Sequence, residues 1–267
     1  MSATIIRLAV VVPARNEAAR LPAALAALDR ARKFFSSRNP EIGVSVTVAL
    51  DSTTDHSGEL LANHPGVQTI TLAAGRVGAA RNAGIAAAWP VTQIPAEQLW
   101  ILNTDADSEV PTHWLQCHYE LAVAGAHLVA GTVEPDFAEL TGNLGRRWLD
   151  CHELRAGHPH VHGANLGFRA DVFAGLGGFN DQVLHEDRDL VDLARIRGYR
   201  VLSTDDCRVK TSGRLQGRVN GGFASFLAAL GGPSATATVQ HGHAGDLAEV
   251  SGPPAIARTI AKERTEH

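Results

Sequence analysis

The chain opens on a continuous apolar run, "TIIRLAVVVP" at 4 to 13, whose β-branched character predicts a strand buried on both faces, as in a parallel sheet. After it, Asn16 is expected to cap a helix whose apolar positions Leu21, Leu25 and Leu28 share one face. "VSVTVAL", running into Asp51, and "VQTITL", running into "AAGRVGAARNAG", predict the second and third strands. "AARNAGIAAAW" reads as a helix and "LWILNTD" as a fourth strand. Pro111 suits the first turn of the helix that carries Trp114, Leu115 and Leu121. Alternation of strand and helix predicts an α/β fold with a mostly parallel central sheet flanked by helices.

The second half is less regular. "AHLVAGTVE" predicts a strand, "FAELTGNLGRRWLDCHEL" a helix and "RAGHPHVHGAN" an irregular loop. "HEDRDLVDLARIRGYRV" has acids at its start, arginines at its end, Leu190, Leu193 and Ala194 on one side, and Gly198 to stop it, so it predicts a helix. A strand over "RVLSTD" follows.

From Pro233 onward Gly, Pro, His and Ala accumulate and periodicity fails, which predicts a flexible tail over 233–267. The remainder, 1–232, is expected to form one domain of two halves, 1–110 and 111–232.

Composition narrows the partners. Of 267 residues, 45% are hydrophobic and 19% charged, and the net charge of -4 argues against broad binding to nucleic acid or to an anionic membrane. No window reaches the length of a membrane span, and "MSATIIRLAVVVPARNE" lacks the shape of a secretory signal, so a cytoplasmic location is expected. Cys117, Cys151 and Cys207 are scattered and read as core residues rather than as a disulfide framework or zinc finger.

Candidate chemistry collects at strand ends, where open parallel sheets bind ligands. Asp105 and Asp107 stand at i and i+2, so an extended backbone would point both carboxylates to one side. Such a pair is suited to Mg²⁺ or Mn²⁺ bridging a diphosphate, and equally to an Asp-rich turn. Asp51 could accept a hydrogen bond from a base or ribose, or cap a turn. Arg76 and Arg81 could pair with phosphate or simply face solvent.

Glu186 and Asp187 complement a helix dipole, and Asp187 also follows the Gly-rich "GLGGFNDQVLH", which could present it to a cleft as a base. His158, His160 and His162 lie on one side of any extended segment, as zinc ligands or as part of a substrate-facing loop. Arg214 and Arg218, at i and i+4, could close over a diphosphate from one helix face, or merely solvate that helix.

Taken in order, these clusters resemble the inverting nucleotide-sugar glycosyltransferases of family 2. "VVVPARNEAARLPAAL", "LDSTTDHSGEL", "GAARNAG", "NTDADSEVPTHWL", "GANLGFRADVFAGLGGFND" and "HEDRDLVDLARIRGYRV" are similar to successive motifs of that family over residues 6 to 230. The resemblance implies the A-type glycosyltransferase fold, a nucleoside diphosphate sugar donor and a hydroxyl acceptor, with 1–110 as the nucleotide-sugar-binding half and 111–232 as the acceptor and catalytic half. It implies that Pro13, Arg15, Glu17 and Asp51 border the nucleoside, that Arg81 lies near the base or diphosphate, that Asp105 and Asp107 serve the metal, and that Asp187 is the general base. Leu50 stands where the family carries the first of two aspartates, and "KTSGRLQGR" lacks the Gln-x-x-Arg-Trp signature of processive synthases, which points to transfer of a single sugar, with peripheral membrane contact still open. A retaining transferase of the glucosyl- or mannosyl-glycerate synthase type and a non-catalytic nucleotide-sugar-binding protein are the alternatives.

Overall fold

The computed structural model of the chain describes residues 4–89, 94–180, 182, 184–217 and 221–232. The expected tail at 233–267 and Arg218 lie outside the described residues.

β1 (Arg7–Ala14), β2 (Gly43–Asp51), β3 (Gln68–Leu72) and β4 (Leu99–Asn103) alternate with α1 (Leu21–Ser36), α2 (Ser57–Ala62) and α3 (Val77–Ala88). β5 (Ser108–Glu109), α4 (Trp114–Val123), β6 (Leu128–Pro135), α5 (Leu144–Cys151), β7 (Leu166–Arg169), α6 (Ala170–Leu176), α7 (Glu186–Ile196), β8 (Val201–Thr211) and α8 (Phe223–Leu230) follow. One sheet takes the strands in the order β3-β2-β1-β4-β7-β6-β8-β5. β3, β2, β1 and β4 run parallel, as does β6 with β8, while β7 is antiparallel to both neighbours and β5 is antiparallel to β8.

The unbroken apolar character of β1 follows from helices on both faces. Val10 and Val12 pack with Leu21, Leu25 and Leu28 of α1 and with Trp114 of α4. Ala9 and Val11 point the other way, into the core of Ile85 from α3, Phe168 and Phe173, and Leu190 and Ala194 from α7. Both alternate sets are buried, so no polar face is left to show period two. Gly84 permits the closest part of this packing: a Cβ there would stand 2.5 Å from Val11 Cγ1.

Several expectations change. Asn16 does not cap α1, which starts at Leu21; it adopts φ 53° and its Oδ1 accepts the N–H groups of Thr54 and Asp55, at 2.7 and 3.2 Å. Tertiary bonds between the loops after β1 and β2 thus outweigh local capping. Pro111 lies before α4 rather than in its first turn, its carbonyl accepting the N–H of Trp114. The helix expected over 137 to 154 is interrupted near Gly142, where φ is 63°, leaving a short 3-10 turn at Phe137–Glu139 and then α5.

β7, α6 and α8 have no counterpart in the hydrophobic pattern. The first is four residues long, below the length at which periodicity can be read. β8 extends six residues past "RVLSTD", and residues 212–217 leave it without forming the helix expected to carry Arg214. Among the described residues, no helix is long and apolar enough to cross a membrane.

Candidate active site

The carboxyl ends of β1, β2 and β4 and the amino end of α7 converge on a cavity of about 680 Å³. Pro13, Arg15, Glu17, Asp51, Arg76, Arg81, Asp105, Asp107, Glu186, Asp187 and Arg214 all line it. Every described residue that the sequence singled out for catalysis, the donor or the carboxylate metal site therefore borders one space; of the three histidines offered as zinc ligands, His158 does not. The size of that space falls in the range of small-molecule sites.

Asp51 ends β2 and is buried, with its carboxylate spent on the neighbouring loop. Oδ1 accepts the N–H groups of Ala74 and Gly75 at 2.8 and 2.9 Å, and Oδ2 accepts that of Arg76 at 2.9 Å. An acid here organises the turn into α3 and holds Arg76 at the helix start. Ligand contact is left to whatever lone-pair capacity remains.

α3 then supplies Arg81, 3% exposed, and Asn82. The Asn82 amide clamps the backbone of Phe179, donating to its carbonyl at 2.8 Å and accepting its N–H at 3.0 Å, which fixes the loop before α7. The Arg81 guanidinium joins two motifs that lie far apart in sequence, bonding Asp105 Oδ1 at 2.9 Å and Glu186 Oε1. Burial opposes its charge, yet Asp105, Glu186 and Asp187 together hold its pKa above the ordinary value. Gly163 makes room for it, since a Cβ at that position would meet the guanidinium at 2.2 Å.

Asp105 and Asp107 do not lie in the extended segment expected of them. They occupy a turn between β4 and β5, closed by the N–H of Ser108 on the carbonyl of Asp105 at 3.1 Å. The turn reading holds, and both residues also line the cavity. Ser212, just past β8, pins the turn by donating its N–H to the Asp107 carbonyl at 3.1 Å.

Arg214, two residues on, bridges Asp107 Oδ2 at 2.9 Å and Glu17 Oε1 at 2.7 Å. Burial pushes the Asp107 carboxyl up to about 6, with repulsion from Asp105 adding to it and Arg214 opposing it. Burial likewise opposes the Arg214 charge, but Asp107 and Glu17 prevail and raise its pKa. Two crowded carboxylates, one of them reluctant to ionise, with one oxygen each left outside these arginine pairs, suit a divalent cation held by oxygen ligands.

At the start of α7, His185 takes a left-handed conformation, φ 69°, that non-glycine residues adopt rarely, and it sets the entry into the helix. Glu186 is buried against Arg81; burial pushes its carboxyl up while Arg81 pulls it down. Asp187 faces the cavity. Its Oδ2 accepts the Gly163 N–H at 2.6 Å and its Oδ1 accepts the Arg188 N–H at 2.8 Å. The two adjacent acids therefore divide, Glu186 holding an arginine and Asp187 held by backbone N–H groups at the cavity.

The remaining wall combines two of the histidines singled out from the sequence with residues that were not foreseen. His160 and His162 line the cavity, whereas His158 is buried away from it, with Nε2 at 3.2 Å from the carbonyl of Thr204. Its place is taken by His152, which follows α5, stacked on Trp148 with centroids 4.2 Å apart. Phe223 and Phe226 of α8 pack edge-on against His162 and His152. Burial lowers the pKa of His152 to about 4, of His162 to about 3 and of His160 in the same direction, so the rings are neutral at pH 7. Nothing in the sequence spacing links residue 152 to 160 and 162; packing of α5 against the loop does.

The family model for glycosyl transferase family 2 matches residues 9–176, more than half of the chain. S. aureus TarS 1-349 in complex with UDP-GlcNAc superposes with a TM-score of 0.58 at 14% identity, over 82% of this chain and 60% of that one. GalNAc-T7 with UDP, GalNAc and Mn²⁺ gives 0.57 at 14% identity, over 80% and 46%. The mannosyltransferase PcManGT from Pyrobaculum calidifontis, in complex with GDP-Man and Mn²⁺, gives 0.53 at 22% identity, over 79% and 58%. At such identities the likeness shows a shared fold, and this chain spans only about half to three fifths of the length of those proteins. No curated protein sequence matches it significantly. With the opening strand, the Arg81-Asn82 helix and the Asp105-Asp107 turn all inside the matched segment, the chain belongs to glycosyl transferase family 2 and carries the A-type glycosyltransferase fold.

Proposed function

We propose that the protein transfers one sugar from a nucleoside diphosphate donor to a hydroxyl acceptor, with inversion at the anomeric carbon and Asp187 as general base. The observation that carries this reading is the shared cavity: Asp105, Asp107 and Arg214 stand on its β4 and β8 side, and Asp187 on its α7 side. A leaving diphosphate and an attacking hydroxyl need groups of both kinds around one space, because displacement with inversion brings the nucleophile to the face opposite the leaving group.

In this reading the acceptor oxygen forms its bond to the anomeric carbon as the bond to the β-phosphate oxygen breaks. The hydroxyl proton passes to Asp187, whose orientation is fixed by the N–H groups of Gly163 and Arg188. Arg214 is suited to pair with the diphosphate once it exchanges Asp107 for a phosphate oxygen. Asp105 and Asp107 are the residues that would hold Mg²⁺ or Mn²⁺, and the chemistry such an ion supplies is neutralisation of charge on the departing diphosphate. Arg81 and Glu186 act by position, keeping the Asp105 turn and the start of α7 in register. Residues 1–110 form the donor half and 111–232 the acceptor and catalytic half in this scheme.

The structural relatives carry UDP, UDP-GlcNAc or GDP-Man, so the donor is sought with UDP-, GDP- and dTDP-sugars in the presence of Mn²⁺. The test is Asp187→Asn. Transfer should fall at least 10³-fold while donor binding, measured by calorimetry, stays within a few-fold of the parent. Retained transfer, or loss of donor binding in a folded variant, would refute the base assignment. The anomeric configuration of the product reads inversion directly.

A further inference from the structure

We propose that His152, His160 and His162 form a second metal site, for Zn²⁺ or a similar nitrogen-preferring ion, on the acceptor wall of the cavity and separate from the carboxylate pair. Each of the three offers one ring nitrogen, and these nitrogens all lie within 4.8 Å of one another. Three imidazoles around tetrahedral zinc need nitrogens about 3.4 Å apart, given Zn–N bonds of about 2.0–2.1 Å. The rings stand stacked, with interplanar angles of 23° to 26°, so coordination needs side-chain rotations that both shorten the gap and turn the in-plane lone pairs toward one point.

The surroundings favour coordination over an ordinary stack. His152 Nδ1 lies 3.1 Å from the carbonyl of Trp148, which assigns the proton to that nitrogen and leaves Nε2 with its lone pair outward. A backbone carbonyl on the far nitrogen is the usual support of a metal-bound histidine. Neither ring nitrogen of His162 has a hydrogen-bond partner among the described residues, although the ring is largely enclosed by His152, His160 and Phe223. His160 Nε2 accepts the N–H of Glu153 at 3.0 Å, and binding through that atom exchanges one weak bond for a metal bond. The nearby charges are mixed: Arg188 approaches His160 and His162, and Glu153 borders His160.

Selectivity follows from donor chemistry. Three imidazoles suit Zn²⁺, whereas Asp105 and Asp107 offer only oxygen and suit Mg²⁺ or Mn²⁺. Three protein ligands leave a fourth position, and because all three rings line the cavity that position opens toward ligand. Gly163, whose N–H holds Asp187, immediately follows His162, so the site lies on the side proposed for the acceptor. It rests on the histidine geometry alone and stands or falls independently of the transferase reading.

The experiment titrates the metal-stripped full chain with Zn²⁺ by calorimetry and with Co²⁺ by visible absorption. One equivalent should bind with micromolar or tighter affinity, and Co²⁺ should give the intense bands of a four- or five-coordinate nitrogen site. His160→Gln with His162→Gln should weaken binding at least tenfold, while Asp105→Asn with Asp107→Asn leaves it unchanged. Only weak octahedral Co²⁺ bands in the parent protein would overturn the proposal, and that readout needs no variant to fold. Zn²⁺ affinity lost with the aspartates and kept without the histidines would overturn it equally.

Discussion

Asp107 provides a prediction in which a residue of the candidate site works against the fold. Burial and the neighbouring Asp105 raise its carboxyl from 3.8 to about 6, so ionising it costs the folded chain about 3 kcal/mol relative to the unfolded one. Below pH 4 the acid is protonated in both states and the cost vanishes. Between pH 4 and 6 the folded state holds a proton that the unfolded state has released, so stability falls as pH rises, and above 6 the full cost is present.

Asp107→Asn keeps shape and removes the charge. Against the gain stand the loss of the Arg214 pair at 2.9 Å, with Glu17 still holding that guanidinium at 2.7 Å, and burial of an amide. The variant should therefore be more stable at pH 8 by about 1–3 kcal/mol, equivalent to a rise in Tm of about 3–10 °C for a domain of this size, and should lose metal-dependent donor binding. Urea unfolding at pH 8 and pH 4, without added metal, measures both ends. A variant less stable than the parent at pH 8, or a difference of the same size at pH 4, would show that Asp107 is not a strained acid.

Other substitutions separate scaffold from site. Asp51→Ala removes the acceptor of three backbone N–H groups at 2.8 to 2.9 Å and should cost about 3 kcal/mol, read by urea unfolding, with donor binding impaired because the loop at 74–76 loosens. Unchanged stability would mean that the loop keeps its shape without the acid. Gly163→Ala puts a Cβ 2.2 Å from the Arg81 guanidinium, so about 1–3 kcal/mol of stability and most transfer activity should be lost together. An active, fully stable alanine variant would show that the buried arginine is not fixed in place.

The first half of the chain was legible because its signals are local. Long apolar runs such as "LAVVVP" mark strands covered on both faces, and polar clusters directly after them mark the loops where such sheets bind ligands. The same reasoning, with the family resemblance, singled out Asp51, Arg81, Asp105, Asp107 and Asp187, all of which line one cavity. It failed where length or direction was insufficient. Four residues at Leu166–Arg169 carry no periodicity, and their antiparallel course between β4 and β6 is set by strands more than thirty residues away in sequence.

What each side chain does within that cavity was decided by tertiary structure. Sequence supplied two adjacent acids at the start of a helix and set Asp187 apart by the Gly-rich run before it and by resemblance, without showing what Glu186 does. Folding buries Glu186 against Arg81 and leaves Asp187 on the backbone N–H of Gly163, facing the cavity. Sequence likewise supplied three histidines at alternate positions. Packing turns His158 to the Thr204 carbonyl and brings in His152 from the end of α5. Spacing along a chain fixes which face a residue can share with its neighbours, but only the approach of other elements sets which groups are desolvated and paired, and desolvation and pairing determine the chemistry.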